Sequence, residues 1–246
     1  MVLPSSLPHF WALLLVVVSN LLLWEKATSI PACETKEGGC WDPLEETLKS
    51  AIQRAKTNRK LANEFYVELY HNKFSAGQFA DLRSKLMMKE EVAFRAGTYC
   101  HSSLVKLPRL DKDSIVVDME WYLTTMINFV GSWVSPLYQL VIELSAMENV
   151  HETTLSKAKE IEENNREILD DLRWIFTQVY PTAEKKEEFP NWGYLSSLKS
   201  SSRSYKFLAM FNIFRCLRHD AQDILFHLQM VECRMIPDNC FPRNIP

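Results

Sequence analysis

Six cysteines are the residues of this 246-residue chain best placed to do chemistry, and their order is close pair, distant pair, close pair. Cys33 and Cys40 have six residues between them, as do Cys233 and Cys240, while Cys100 and Cys216 lie far apart in the middle. Six thiols allow 15 connectivities. A close pair can bridge with no fold around it, so Cys33 with Cys40 and Cys233 with Cys240 are the least costly partners. Cys100 is then left to Cys216. That bridge closes a loop of more than a hundred residues and is worth about 4 to 5 kcal/mol in the chain-entropy account. The chemistry expected of these thiols is covalent stapling, which belongs to an oxidising compartment.

The other reactive patterns point away from catalysis. His151-Glu152-Thr153-Thr154-Leu155 begins like a zinc-protease helix but has Leu155 where the second histidine must stand. The chain has no Gly-rich phosphate loop and no nucleophile elbow, so it is read as a non-enzyme with no cofactor. His219, Asp223 and His227 recur at every fourth position near the C-terminus, which on a helix gives one stripe. That stripe is either a zinc site or a plain solvated face. Lys56, Arg59 and Lys60 form the one basic cluster that could hold a heparin-like polysaccharide, and three cations make a weak site. The net charge of −3, with acids and bases interspersed, gives no footprint for nucleic acid. No Asn-x-Ser/Thr acceptor occurs.

The N-terminus agrees with the cysteines. Phe10 to Trp24 is an apolar run of 15 residues followed by Glu25-Lys26 and Ala27-Thr28-Ser29. A membrane span needs about 20 apolar residues, whereas a signal peptide has a run of 7 to 15 before small residues. Residues 1–29 are predicted to be a signal peptide cut after Ser29, with 30–246 as one secreted extracellular domain and no membrane insertion. No Lys or Arg precedes the run, which leaves an uncleaved anchor as the alternative.

Apolar residues at spacings of three and four predict an all-α chain. Asp42 and Pro43 read as N-cap and first residue of a long helix burying Leu44, Leu48, Ala51, Ala55, Ala62, Phe65 and Leu69, as far as Tyr70. A second runs from about Ser114 with Val117, Trp121, Thr124, Val130, Val134, Leu137, Val141 and Leu144 inward, kinked at Pro136. A third runs from His151 until Pro181 stops it, and a fourth from Ser202 to Arg234. The few residues around Glu148 to Val150 make the second and third antiparallel neighbours. The stretches from Tyr70 to Ser114 and from Pro181 to Ser202 are long enough to return along a helix of about 40 Å. Two long crossovers flanking one tight turn predict an up-up-down-down four-helix bundle.

Several stretches then resemble one family: Cys100-His101-Ser102-Ser103-Leu104, Ser132-Trp133-Val134-Ser135-Pro136-Leu137-Tyr138-Gln139-Leu140-Val141, Leu155-Ser156-Lys157-Ala158-Lys159-Glu160-Ile161-Glu162-Glu163, and Cys216-Leu217-Arg218-His219-Asp220 leading to Cys233-Arg234. From Cys33 to Cys40 and on to Cys240 the chain resembles the prolactin and growth hormone family. The resemblance implies a secreted four-helix hormone acting on a single-pass cytokine-type receptor. About a dozen extra residues within Lys73 to Gly97 resemble the insert of the placental and decidual prolactin-like subgroup. There Ser75 could cap a short helix carrying Phe79, Leu82, Leu86 and Met87, packed over the crossover or serving as a binding element.

The resemblance also implies two receptor surfaces. The first would be the outer face of the last helix, with parts of the first helix and first crossover, and on the last helix it would comprise Arg215, Arg218, His219, Gln222, Asp223 and Phe226. Arg218 matches the family, but Asp223 stands where prolactins have Lys, His219 where they have Arg, and His227 where they have Tyr. A charge reversal at a buried contact costs several kcal/mol, so a receptor other than the prolactin receptor is expected. The second surface relies in the family on a glycine in the third helix. Asp171 stands there, on a stripe with Glu167, Trp174 and Gln178, so receptor dimerisation through that face is not expected. Trp174 is either a hot spot of that face or covered by a crossover. The alternative to a receptor-binding hormone is a local extracellular factor held by heparin-like polysaccharide or zinc.

Overall fold

The computed structural model describes residues 41–71, 73–108, 118–184 and 186–236. By its internal contacts the chain divides into Met1–Pro43 and Leu44–Pro246. Of the first unit only residues 41–43 are described. The predicted signal peptide, Cys33, Cys40, Cys240, and the predicted helix start at Ser114 with Val117 lie outside the described residues. Among the described residues there are helices and no strands. No helix among them is long and apolar enough to cross a membrane.

The long helices follow the apolar periodicity. Helix α1 spans Trp41–His71 and buries Leu44, Leu48, Ala51, Ala55, Ala62, Phe65 and Leu69, as predicted. It is already helical at Trp41, so Asp42 is not its N-cap, and Pro43 sits within the first turn, where a missing N–H costs nothing. After a 3-10 turn at Lys73–Ser75, the inserted segment makes two helices, α2 (Gln78–Met87) and α3 (Glu91–Thr98). Ser75 does not cap α2: its hydroxyl is buried and donates to the Leu69 carbonyl, while left-handed Gly77 (φ 79°) stands at the N-cap. Phe79 and Leu82 are buried, but Met87 is well exposed.

The second long helix is two helices, α4 (Met119–Gly131) and α5 (Val134–Ala146), with Asp118 capping α4 by accepting from the Glu120 amide. The break falls three to four residues before Pro136, for a local reason. Pro136 has no N–H to give the carbonyl four residues back, which belongs to Ser132. That carbonyl is taken instead by His101 Nε2, at 2.9 Å. Trp121, predicted inward, is 48% exposed, and the buried tryptophan of this segment is Trp133. A turn with Asn149 in the left-handed region (φ 65°) leads to α6 (Glu152–Val179), capped by the His151 side chain, then to the short α7 (Leu195–Leu198) and α8 (Arg203–Met235).

Cross-helix contacts fix directions. Along α1 and α6, Arg54 meets Asp171 and Glu68 meets Lys157. Along α1 and α8, Asn63 meets Arg218 and Phe65 meets Phe214. Along α4, α5 and α8, Tyr122 meets His227, Trp133 meets Asp220 and Glu143 meets Lys206. Numbers rise along one partner and fall along the other in every case. Two buried clusters result, one at each end of α8. The first gathers Phe65, Phe79, Ala96, Trp133, Phe207 and Phe211, and the second Leu48, Tyr122, Met126, Ile168, Leu172 and Leu228.

Two adjacent turns of α8 hold the connections. Cys216 is disulfide-bonded to Cys100, with a sequence separation of 116. Cys233 is also disulfide-bonded. One turn before Cys216, buried Asn212 donates to the carbonyls of Ala96 (2.9 Å) and Tyr99 (2.7 Å) and accepts from Trp192 Nε1 (2.8 Å). It thereby satisfies a carbonyl left free at the end of α3. Phe189 lies over Gly131, where a Cβ would come within 2.1 Å of the ring. Replacing Asn212 by Ala leaves two carbonyls and an indole N–H without that partner, at about 1–3 kcal/mol for each that stays dry. Urea unfolding should show Asn212→Ala destabilised by about 3 kcal/mol or more, and exposed Tyr205→Ala by less than about 0.5 kcal/mol.

Candidate recognition surface

The outward stripe of α8 exists because its inward positions, from Phe207 to Val231, are all spent on the two cores. Arg218, His219, Gln222 and Phe226 are exposed, the last at 45%, while Arg215 and Asp223 are half-buried. The stripe is joined to α1. Arg218 Nε donates to Asn63 Oδ1 at 2.8 Å and its guanidinium lies 4.9 Å from the Tyr66 ring centre, a cation–π distance. Arg59 donates to Gln222 Oε1 at 3.3 Å. The surface is thus a seam of two helices, with Asn63 and Tyr66 as members that spacing along α8 alone could not reveal.

The basic cluster is drawn into this seam. Lys56, Arg59 and Lys60 are exposed on α1, but Arg59 is tied to Gln222 and Lys60 stands 3.8 Å from Glu64.

The single stripe of His219, Asp223 and His227, read from spacing as either a zinc site or a plain solvated face, does not form. Eight helical residues turn the chain by about 80° beyond two full circles, so His227 rotates inward from His219. It is only 7% exposed, and its Nδ1 lies 2.7 Å from the Tyr122 hydroxyl. Burial pushes the His227 imidazole down to about 4, so a neutral ring shares this hydrogen bond with the phenol. What gathers instead is His219, Asp220 and Asp223. His219 Nδ1 is 3.2 Å from Asp223 Oδ2 and 3.6 Å from Asp220 Oδ1. The Asp220 carboxylate beside it raises the His219 pKa, and burial raises that of Asp223.

The stripe on α6 is closed by a partner from α1. Arg54 Nε pairs with Glu167, and its Nη1 donates to Asp171 Oδ2 at 3.0 Å. Asp171 is half-buried, and burial raises its pKa while Arg54 pulls it back. Trp174 is half-buried and packs against the second core cluster, and Gln178 is half-buried beyond it.

The somatotropin hormone family matches residues 16–240. The chain belongs to that family. Its members are hormones, not enzymes. The chain is similar to mouse Prolactin-8A8, at 59% identity over 95% of this chain and 97% of that one. It is also similar to mouse Prolactin-8A6, at 56% over 98% and 100%, and to rat Prolactin-8A4, at 56% over 96% and 98%. This is a prolactin-like chain along nearly its whole length.

His227 gives a pH dependence. Its folded value lies below the ordinary imidazole value of about 6.5, so between about 4 and 6.5 the unfolded chain binds more protons. The stability from this group is whole above pH 6.5 and is lost as pH falls toward 4, with a slope no steeper than about 1.4 kcal/mol per unit. Urea unfolding at pH 7.5 and 4.5 should show that drop, and His227→Asn should shrink it while lowering the value at pH 7.5.

Proposed function

We propose that the protein is a secreted hormone of the placental and decidual prolactin-like subgroup that binds a single-pass cytokine-type receptor other than the prolactin receptor. In this reading residues 1–29 are a signal peptide and 30–246 the hormone domain, an up-up-down-down four-helix bundle with bridges Cys33–Cys40, Cys100–Cys216 and Cys233–Cys240. Support for the topology comes from the opposed numbering of α1 against α6 and α8 and of α4 and α5 against α8. Support for secretion comes from the apolar leader and the disulfide-bonded cysteines.

The observation that carries the reading is the α8–α1 seam. Arg218 is held in place by Asn63 and Tyr66, with exposed Phe226 about two turns further along α8, the kind of ordered cation and aromatic that dominate protein interfaces. Arg215, His219, Gln222 and Asp223 complete the proposed receptor-binding surface. The face of Glu167, Asp171, Trp174 and Gln178 is the second surface, and Arg54 already occupies both of its acids, so we expect one receptor chain per hormone. Zinc or heparin-like polysaccharide holding the protein without receptor signalling is the other outcome of the test.

The test is saturable binding of labelled protein to responsive cells, run beside the prolactin receptor ectodomain and a heparin column. Phe226→Ala and Arg218→Ala should each weaken cell binding by about tenfold or more, Lys56→Ala with Lys60→Ala should leave it unchanged, and the prolactin receptor should not bind tightly. Cell binding that heparin abolishes and moderate salt removes, indifferent to Phe226→Ala, would overturn the reading.

A further inference from the structure

The inserted segment carries groups that the receptor reading does not use. Of the chain's nine methionines, Met87 is 78% exposed and Met88 71%, at the last residue of α2 and its C-cap. Every other described methionine is at least partly covered. Met126 and Met210 are fully buried, Met119 and Met235 pack against the second core cluster, Met147 packs against the first, and Met230 is half-buried. We propose that Met87 and Met88 form an oxidation site, at which a peroxide converts both thioethers to sulfoxides and makes the apolar surface at the α2–α3 turn polar.

Three features carry the assignment. The first is access, which sets how fast a thioether oxidises. The pair is kept outward by its neighbours: Phe79 and Leu82 bury the inner face of α2, and Leu86 packs onto Gly97 of α3, where a Cβ would come within 2.7 Å of Leu86 Cδ1. The backbone under the pair is ordered, with the Met88 amide donating to the Ser84 carbonyl at 3.0 Å and Lys89 turning left-handed at φ 58°. The second feature is the lack of a competitor. A thiolate would take the oxidant first, and among the described residues there is no free cysteine. The third is the surroundings. Val92 and Phe94, 56% and 44% exposed, follow on α3, so the pair belongs to an apolar stretch of surface that two sulfoxides would interrupt. In each step the sulfur lone pair takes one peroxide oxygen: the S–O bond forms as the O–O bond breaks, and with hydrogen peroxide the second oxygen leaves, protonated, as water. Sulfur gives up two electrons and the peroxide gains them.

The test is dilute hydrogen peroxide on the full chain, quenched at intervals and read by peptide mass mapping. In the folded protein Met87 and Met88 should oxidise about tenfold or more faster than any other described methionine, and in denaturing urea that preference should vanish. The oxidised protein should elute earlier from a hydrophobic-interaction column, as should unoxidised protein carrying Met87→Gln with Met88→Gln, while Met87→Leu with Met88→Leu should abolish the peroxide-dependent shift. Neither side chain belongs to the two cores, so these variants keep the fold. Equal or faster oxidation of another methionine in the folded protein, or an elution that oxidation leaves unchanged, would overturn the assignment. No receptor takes part in these measurements, so their failure leaves the receptor reading standing, and loss of the receptor reading leaves the oxidation site standing.

Discussion

Two residues one helical turn apart, Asn212 and Cys216, hold the connections of this molecule on its last helix. Asn212 spends both amide protons on carbonyls at the end of the insert and its oxygen on the indole of Trp192, from the second crossover. Cys216 takes Cys100 through the disulfide. A buried amide is tolerated only when its polar atoms are satisfied, so this asparagine specifies where both connections must lie. His101, next to the disulfide, extends the constraint by filling the carbonyl that Pro136 leaves unbonded. The break between α4 and α5 and the seating of the first crossover are therefore one arrangement.

Much of this was legible in the chain. The 3.6-residue repeat located α1, α6 and α8 to within a residue or two, because each buries a face along its whole length. Periodicity failed where burial is not one-sided. Trp121 sits in the first turn of α4 on its outer face, while the next two residues, Tyr122 and Leu123, take the inward positions there. Helix α3 is eight residues long, too short to show a repeat, and gains its place from Asn212. The recognition surface divided the same way. The α8 stripe follows from what the core leaves over and a share for α1 from the family resemblance, but that Asn63 and Tyr66 are the α1 members becomes visible only in space. His227 was misplaced because a four-residue step drifts about 40° per repeat on a 3.6-residue helix, which two steps turn into burial.

Charge follows the same logic as packing. On α6 the acids Glu167 and Asp171 are both answered by Arg54, which ties that face to α1 and offsets part of its negative charge. On α8 the cation Arg218 is answered by an amide and an aromatic ring, so its charge stays available to a partner. The two faces are thus unequal in what they offer, and the α8–α1 seam is the one that presents ordered, unspent groups. Prolactin-like sequence along nearly the whole chain and this asymmetry agree on recognition as the chemistry of the molecule.

That claim is tested most directly by where a partner touches. A photoreactive benzophenone side chain placed at position 226 on α8, and in a second protein at exposed position 138 on α5, can be activated on responsive cells. The account predicts that position 226 labels a single-pass cytokine-type receptor and position 138 does not. Equal labelling from both, or labelling from position 138 alone, would contradict it.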